Sequence, residues 1–315
     1  MDAQLKAALA SALGSEIATA RGIAGGDINR AYEVVLADGQ RLFVKTNDRS
    51  PPGMFAAEAR GLGWLGEAGA LRIPQVVAVS APEEPHQFLV LELVATGTPA
   101  RDFDEKLGRG LAALHRHGAP GFGLDHDNFI GWLPQVNDPP WEPREGSQTL
   151  PRRTPPGKAG LRPRDPPNAW PEFYRARRLE AQLRLAADEG RASSRMRQGF
   201  ERLFRVLDEL CGPAEPAARL HGDLWGGNLL CDARGGPCLI DPAVYGGHRE
   251  IDLAMMRLFG GFGAPVFDAY DEAWPLADGH RERVSLYQLY PLMVHVNLFG
   301  GSYIGSVEAA LERLC

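Results

Sequence analysis

An α+β fold in two lobes, a small β-rich one followed by a larger, mainly helical one, is what this sequence predicts, and three observations predict it. β-prone runs bounded by turn residues crowd residues 1–94. Apolar stripes at helical spacing dominate residues 95–315. A short polar stretch, residues 221–241, lies among the helices and fits neither pattern. Strands grouped in front and helices grouped behind argue for α+β rather than alternating α/β. A chain of 315 residues has ample material for the core of one two-lobed domain or two ordinary ones.

In the front lobe, Tyr32–Leu36 and Arg41–Lys45 flank Ala37-Asp38-Gly39-Gln40, and Asp-Gly between two β-prone runs is a strong hairpin signal. Just before it comes Gly25-Gly26-Asp27-Ile28-Asn29, where small residues ahead of a strand let backbone N–H groups approach phosphate oxygens. This is neither a G-x-G-x-x-G loop nor a Walker A sequence, so an ordinary turn explains it equally well. Lys45 closes the second strand. On the helix expected over 55–67, Glu58, Leu62 and Leu65 fall on one face. An acid on an inward stripe needs a positive partner, because an unpaired buried charge is costly, and Lys45 on the neighbouring strand supplies one. Val76–Val79 and Gln87–Leu93 complete the lobe, and Val94 to Pro99 reads as a hinge.

Beyond the hinge, Phe103, Leu107, Leu111 and Leu114 predict a helix ending at Gly118. Pro171 is expected to open a second that ends at Gly190, and Ser193 a third that ends at Gly212-Pro213. Residues 250–260, 265–274, 281–298 and 302–314 are also expected to be helical. Asp138 to Asn168 is crowded with Pro and Arg and has almost nothing to bury, so a flexible surface insertion is expected there. P-x-x-P patterns arise readily in Pro-rich loops, so no protein partner is inferred from them.

The polar stretch reads His221-Gly222-Asp223-Leu224-Trp225-Gly226-Gly227-Asn228. Two apolar runs then lead to Asp241-Pro242, and they predict a hairpin that brings Asn228 and Asp241 side by side. An Asp followed five residues later by an Asn, with a second Asp closing the next hairpin, is similar to the catalytic layout of protein-kinase-like phosphotransferases. Phosphoryl transfer needs a carboxylate beside the acceptor hydroxyl, here Asp223, and oxygen ligands for Mg²⁺ on the nucleotide phosphates, here Asn228 and Asp241.

Composition narrows the class further. A net charge of −6 lacks the basic footprint of a nucleic-acid binder. No apolar run approaches membrane-spanning length, and Met1-Asp2-Ala3-Gln4-Leu5-Lys6 lacks a secretory-signal pattern. Cys211, Cys231, Cys238 and Cys315 have no metal-binding spacing. A cytoplasmic, reduced protein with neither nucleic-acid nor membrane partner is expected.

The chain resembles the fructosamine kinase (ketosamine 3-kinase) family, relatives of the aminoglycoside and choline phosphotransferases. The resemblance rests on Gly25–Asn29, Asn128-Phe129-Ile130-Gly131, His221–Asn228, Ile240–Tyr245, Gly247–Ala254 and His295–Gly301. It implies a protein-kinase-like fold and ATP- and Mg²⁺-dependent phosphorylation of a small ketoamine or glycated amine at the sugar 3-hydroxyl, in the service of deglycation. It also implies that Asp223 is the base, Asn228 and Asp241 ligate the metal, and Lys45 with Glu58 holds phosphate. Gly25 and Gly26 would approach the phosphates, and Glu92, Leu93 and Val94 the adenine. Asp252 would brace the catalytic loop. Trp225, His248 and Arg249 would flank the acceptor, each touching the sugar or bracing the core. Two departures stand out: the 138–168 insertion, placed to obstruct bulky substrates, and Gly226-Gly227 where relatives often carry a Ser. Two rivals keep the fold: a kinase of another small alcohol, of the aminoglycoside or choline type, and a pseudokinase scaffold. The second conflicts with the presence of every catalytic residue type.

Overall fold

A computed structural model describes residues 1–23, 29–137 and 169–315. The expectations for Gly25 and Gly26 and for the 138–168 insertion lie outside the described residues.

The front of the chain forms α1 (Ala3–Leu13), β1 (Ile17–Ile23), β2 (Arg30–Leu36), β3 (Arg41–Thr46), α2 (Met54–Gly66), β4 (Val76–Val79) and β5 (Phe88–Glu92). The strands make one antiparallel sheet in the order β1-β2-β3-β5-β4. Side chains alternate across a strand, and that alternation sets up the site. Leu42 and Val44 pack with Val34, Leu36, Phe88 and Val90 against Leu5 and Leu9 of α1. Lys45, one residue on, therefore belongs to the opposite face, where Phe55 and Leu62 of α2 pack on Leu89 and Leu91. The expected hairpin, helix and strands are all present. The sequence patterns did not announce α1 and β1. Helix α1 is built largely of alanine and buries only Leu5 and Leu9, while β1 buries only Ile17.

After the hinge come α3 (Phe103–His117) and the small hairpin β6 (Asn128–Ile130) with β7 (Leu133–Gln135). The next helix is described from Ala169, two residues ahead of the Pro171 expected to open it. It runs through α4 (Ala169–Phe173), a wide π-helical turn (Tyr174–Leu179) and α5 (Glu180–Asp188). Helix α6 (Ser194–Leu210) is capped by Ser193, whose Oγ accepts the Met196 N–H at 3.0 Å. Next are β8 (Ala218–Leu220), a 3₁₀ turn (Gly226–Asn228), the hairpin β9 (Leu229–Cys231) with β10 (Pro237–Leu239), and β11 (Tyr245–Gly247), which pairs with β8. Helices α7 (Glu250–Phe259), α8 (Ala264–Ala273), α9 (His280–Phe299) and α10 (Ser302–Leu314) complete the fold.

Two apolar clusters hold the second half. Phe200, Leu203 and Leu207 of α6 pack with Leu289, Met293 and Val296 of α9 and Leu311 of α10. Leu107, Leu111 and Leu114 of α3 pack with Leu224, Leu239, Val244 and Leu253. The second cluster anchors every segment that carries the polar stretch. Among the described residues, no helix is long and apolar enough to cross a membrane.

Candidate active site

The β9–β10 hairpin places the first two groups. Ile240 N–H donates to the Asn228 carbonyl at 3.0 Å, so the residues entering and leaving the hairpin are neighbours. Asp241 follows at φ 54°, the one non-glycine residue with positive φ among those described. Asp tolerates this left-handed region better than most side chains. Its Oδ1 lies 2.8 Å from Lys45 Nζ, which is also 2.8 Å from Glu58 Oε1. The pairing inferred from a face-sharing Glu58 is therefore present, with Asp241 as a third member. Burial alone would depress the Lys45 pKa, but Glu58 and then Asp241 hold it above the ordinary lysine range.

The loop before the hairpin is fixed from below. Asp252, in the first turn of α7 and fully buried, accepts the N–H groups of His221 (2.8 Å) and Gly222 (2.9 Å). His115 Nε2 lies 3.1 Å from the same carboxylate, and the Tyr270 hydroxyl 2.8 Å from His115 Nδ1. Burial opposes ionisation of Asp252, but the hydrogen bond from His115, its charge and the loop amides outweigh it and lower the pKa. His221 is also braced: Nε2–H donates to the Ile240 carbonyl at 2.9 Å, and Nδ1 accepts the Asp223 N–H at 3.3 Å. Burial lowers its pKa, which suits a neutral ring with one donor and one acceptor nitrogen.

Asp223 thereby sits beside Asn228, whose Nδ2 donates to its carbonyl (2.8 Å) and its Oδ2 (3.2 Å). Burial pushes the Asp223 carboxyl up to about 7; Asn228 opposes the shift, and the charges of Asp241 and Asp252 add to it. A carboxyl that ionises near neutrality is matched to taking a proton from an alcohol at physiological pH. The donor set also fits a magnesium ion. Asn228 spends Nδ2 on Asp223 and on the Asp241 carbonyl, which leaves Oδ1 to ligate beside the Asp241 carboxylate. Among the described residues no three His, Cys, Asp or Glu side chains form a metal cage. Magnesium is ordinarily held by one or two carboxylates with the substrate's phosphates, so a sparse protein set is appropriate.

The remaining expectations divide. Glu92 spends its N–H on the Gln75 carbonyl (2.9 Å) and its carboxylate on Arg72, so Leu93 and Val94, just past β5, offer the less committed backbone for a base. Trp225, two residues after Asp223 in the chain, is 42% exposed and meets Phe259 edge-on. His248 and Arg249, for which the sequence left open a place beside the sugar or a bracing role, are both buried, and their contacts are those of braces. Arg249 makes a two-pronged 2.8 Å ion pair with Glu215 and lies over the Trp274 ring. His248 is stacked on Tyr287, and burial together with Arg283 and Arg249 pushes it down to about 3. His115 was missed, although a signal existed: it falls four residues after Leu111, on the apolar stripe of α3.

The family model described as fructosamine kinase matches residues 1–143 and 161–315. A probable ketoamine kinase of Lactiplantibacillus plantarum is 34% identical over 301 residues, covering 95% of each chain. The chloroplastic protein-ribulosamine 3-kinase of Arabidopsis thaliana is 32% identical, covering 92% of this chain and 80% of that protein. A crystal structure from Thermobifida fusca described as a fructosamine-3-kinase superposes with a TM-score of 0.80 at 38% identity, over 98% of this chain and 97% of that one. An aminoglycoside phosphotransferase bound to ADP and hygromycin B has a TM-score of 0.60 at 14% identity over 99% and 98%, a likeness of fold alone.

Proposed function

The chain belongs to the fructosamine kinase family, and from that premise we propose that it transfers the γ-phosphoryl group of ATP to the sugar 3-hydroxyl of a small ketoamine. The observation that carries the reading is the convergence of Lys45, Glu58, Asp241, Asn228 and Asp223 through direct hydrogen bonds and ion pairs. These residues come from both halves of the fold, and no packing requirement brings five polar groups together.

In this mechanism Asp223 accepts the proton of the acceptor hydroxyl as its oxygen bonds to phosphorus. The bond from phosphorus to the ADP oxygen breaks, and ADP leaves with that electron pair. Lys45, steadied by Glu58, pairs with the nucleotide phosphates. Asn228 and Asp241 would hold Mg²⁺, which when bound neutralises charge on those phosphates. Asp252, His115 and His221 keep the loop in place, so that Asp223 needs little reorganisation before it acts. Leu93 and Val94 contact adenine through their backbone, at the proposed boundary between lobes 1–94 and 95–315. Trp225 offers a flat apolar face to the acceptor. A deglycation role in the cytoplasm belongs to the same proposal.

The test is incubation with Mg-ATP and synthetic ribulosyl-lysine, with the product's phosphate placed by NMR. A 3-phosphorylated adduct is expected. Turnover of an aminoglycoside or choline but of no ketoamine would leave the kinase chemistry standing and remove the acceptor.

A further inference from the structure

We propose that Arg72 is a positioning residue that couples the adenine edge of the sheet to the metal-ligand hairpin, an inference that rests on the kinase reading above. Arg72 lies between α2 and β4. Its Nη1 donates to Asp232 Oδ2 at 3.0 Å and its Nη2 to Glu92 Oε1 at 3.2 Å. Its carbonyl accepts the N–H of Leu239 at 3.0 Å. One residue thus touches the end of β5, the turn of the β9–β10 hairpin, and β10 itself.

Asp232 is the right place for such a tie. Its Oδ1 accepts the N–H groups of Arg234 and Gly236, each at 2.9 Å, so the carboxylate that receives Arg72 also shapes the turn. From the other side the hinge lies directly on this turn. Gly97 N–H donates to the Cys231 carbonyl at 3.0 Å and Ala100 N–H to the Gly235 carbonyl at 3.1 Å. The approach is so close that a Cβ on Gly97 would fall 2.8 Å from the Asp232 carbonyl oxygen, and one on Gly235 would fall 2.8 Å from the Ala100 nitrogen. The stem of the same hairpin ends in Asn228 and Asp241. A slip between β5 and the turn would therefore move the metal ligands relative to Leu93 and Val94, which one nucleotide must span. A guanidinium held by two carboxylates on different nitrogens opposes that slip in a way that a single ammonium cannot reproduce.

The test is binding of a fluorescent ADP analogue to the full chain across a Mg²⁺ titration, with steady-state kinetics alongside. Arg72→Ala is expected to weaken Mg-ADP binding about fivefold, the upper range for a partly exposed pair. It should raise the Mg²⁺ midpoint and leave the acceptor KM at saturating ATP unchanged. Asp232→Asn keeps an oxygen for the Arg234 and Gly236 amides while losing the charge, and should give a similar loss. The double variant should be little worse than either single one, as expected for coupled partners. Arg72→Lys should recover only part of the affinity. Wild-type affinity and Mg²⁺ midpoint in Arg72→Ala, with or without a lower Tm, would overturn the coupling, as would simple addition of the two single effects. Failure of the unaltered chain to bind Mg-ADP would bring down the kinase reading and this inference together, and it shows before any variant is made.

Discussion

Lys45 Nζ and Asp241 Oδ1, 196 residues apart in the chain, are joined by a 2.8 Å ion pair between the front sheet and the segment that leaves the β9–β10 hairpin. The carboxylate that follows the hairpin is thus paired with the lysine proposed to receive phosphate.

Replacement of that lysine exposes two roles at once. Lys45→Met should lower kcat/KM by roughly 10²–10³, the usual cost of losing one preorganised electrostatic donor. It leaves Glu58 and Asp241 facing one another without a cation. The variant's Tm deficit is therefore expected to be larger at pH 8 than at pH 5, as acid lets Glu58, whose pKa burial already raises, take up a proton. Equal deficits at the two pH values in thermal melts would contradict the pairing.

Asp223→Asn should remove turnover by about 10²–10⁴-fold while leaving nucleotide binding largely intact. Its effect on stability has the opposite sign. The folded chain keeps the Asp223 proton up to about pH 7, against an ordinary value of 3.8, so this group's contribution to stability falls as pH rises between those values. The variant should then melt a few degrees above its parent at pH 8, with a smaller difference at pH 5. An inactive variant that melts below its parent at pH 8 would refute the account of Asp223's environment.

As the proposed base, the same carboxyl should fix the acid limb of the rate profile. With its pKa near 7, kcat/KM should fall about tenfold per pH unit well below that point and level off above it. Asp223→Asn should flatten the limb in the residual activity. A limb in the parent centred near the ordinary aspartate value would show that Asp223 is not held in a desolvated site.

Asn228→Ala deletes one proposed ligand of a shared metal task, and Asp241→Asn keeps an oxygen at the other but strips its charge. Both should raise the Mg²⁺ concentration needed for half-maximal activity, and excess Mg²⁺ should restore part of the rate. Asn228→Ala should cost more in kcat than Asp241→Asn at saturating Mg²⁺, because it also removes the donor on Asp223 Oδ2. Unchanged Mg²⁺ titrations in both variants would remove them as ligands.

Much of this was legible in the sequence wherever the determinant is local. Turn chemistry announced the β2–β3 hairpin, and apolar spacing announced α3, α6 and the last four helices. The spacing from Asp223 to Asn228 and on to Asp241 announced the polar cluster. Lys45 with Glu58 was within reach because a charged residue on an apolar face demands a partner. What escaped depends on groups distant in sequence with no local signal. Nothing near Arg72 or Asp232 foretells their meeting, and the choice between sugar contact and bracing for His248 and Arg249 stays open in the sequence because Glu215, Trp274 and Tyr287, which surround them, are distant in the chain. The weak helix α1 and the exposed strand β1 escaped for the opposite reason, having too few apolar residues to show a period.

The indole of Trp225 folds back over Gly227, and a Cβ at that glycine would intrude on the ring. The two positions are therefore mutually exclusive in side-chain volume. The indole keeps its place only while residue 227 stays bare, and a single codon change there would evict it without altering Asp223, Asn228, Asp241 or Lys45. With Trp225 placed at the acceptor as proposed, change at residue 227 gives this enzyme a mutational route to new acceptors that leaves the residues proposed for the chemistry untouched.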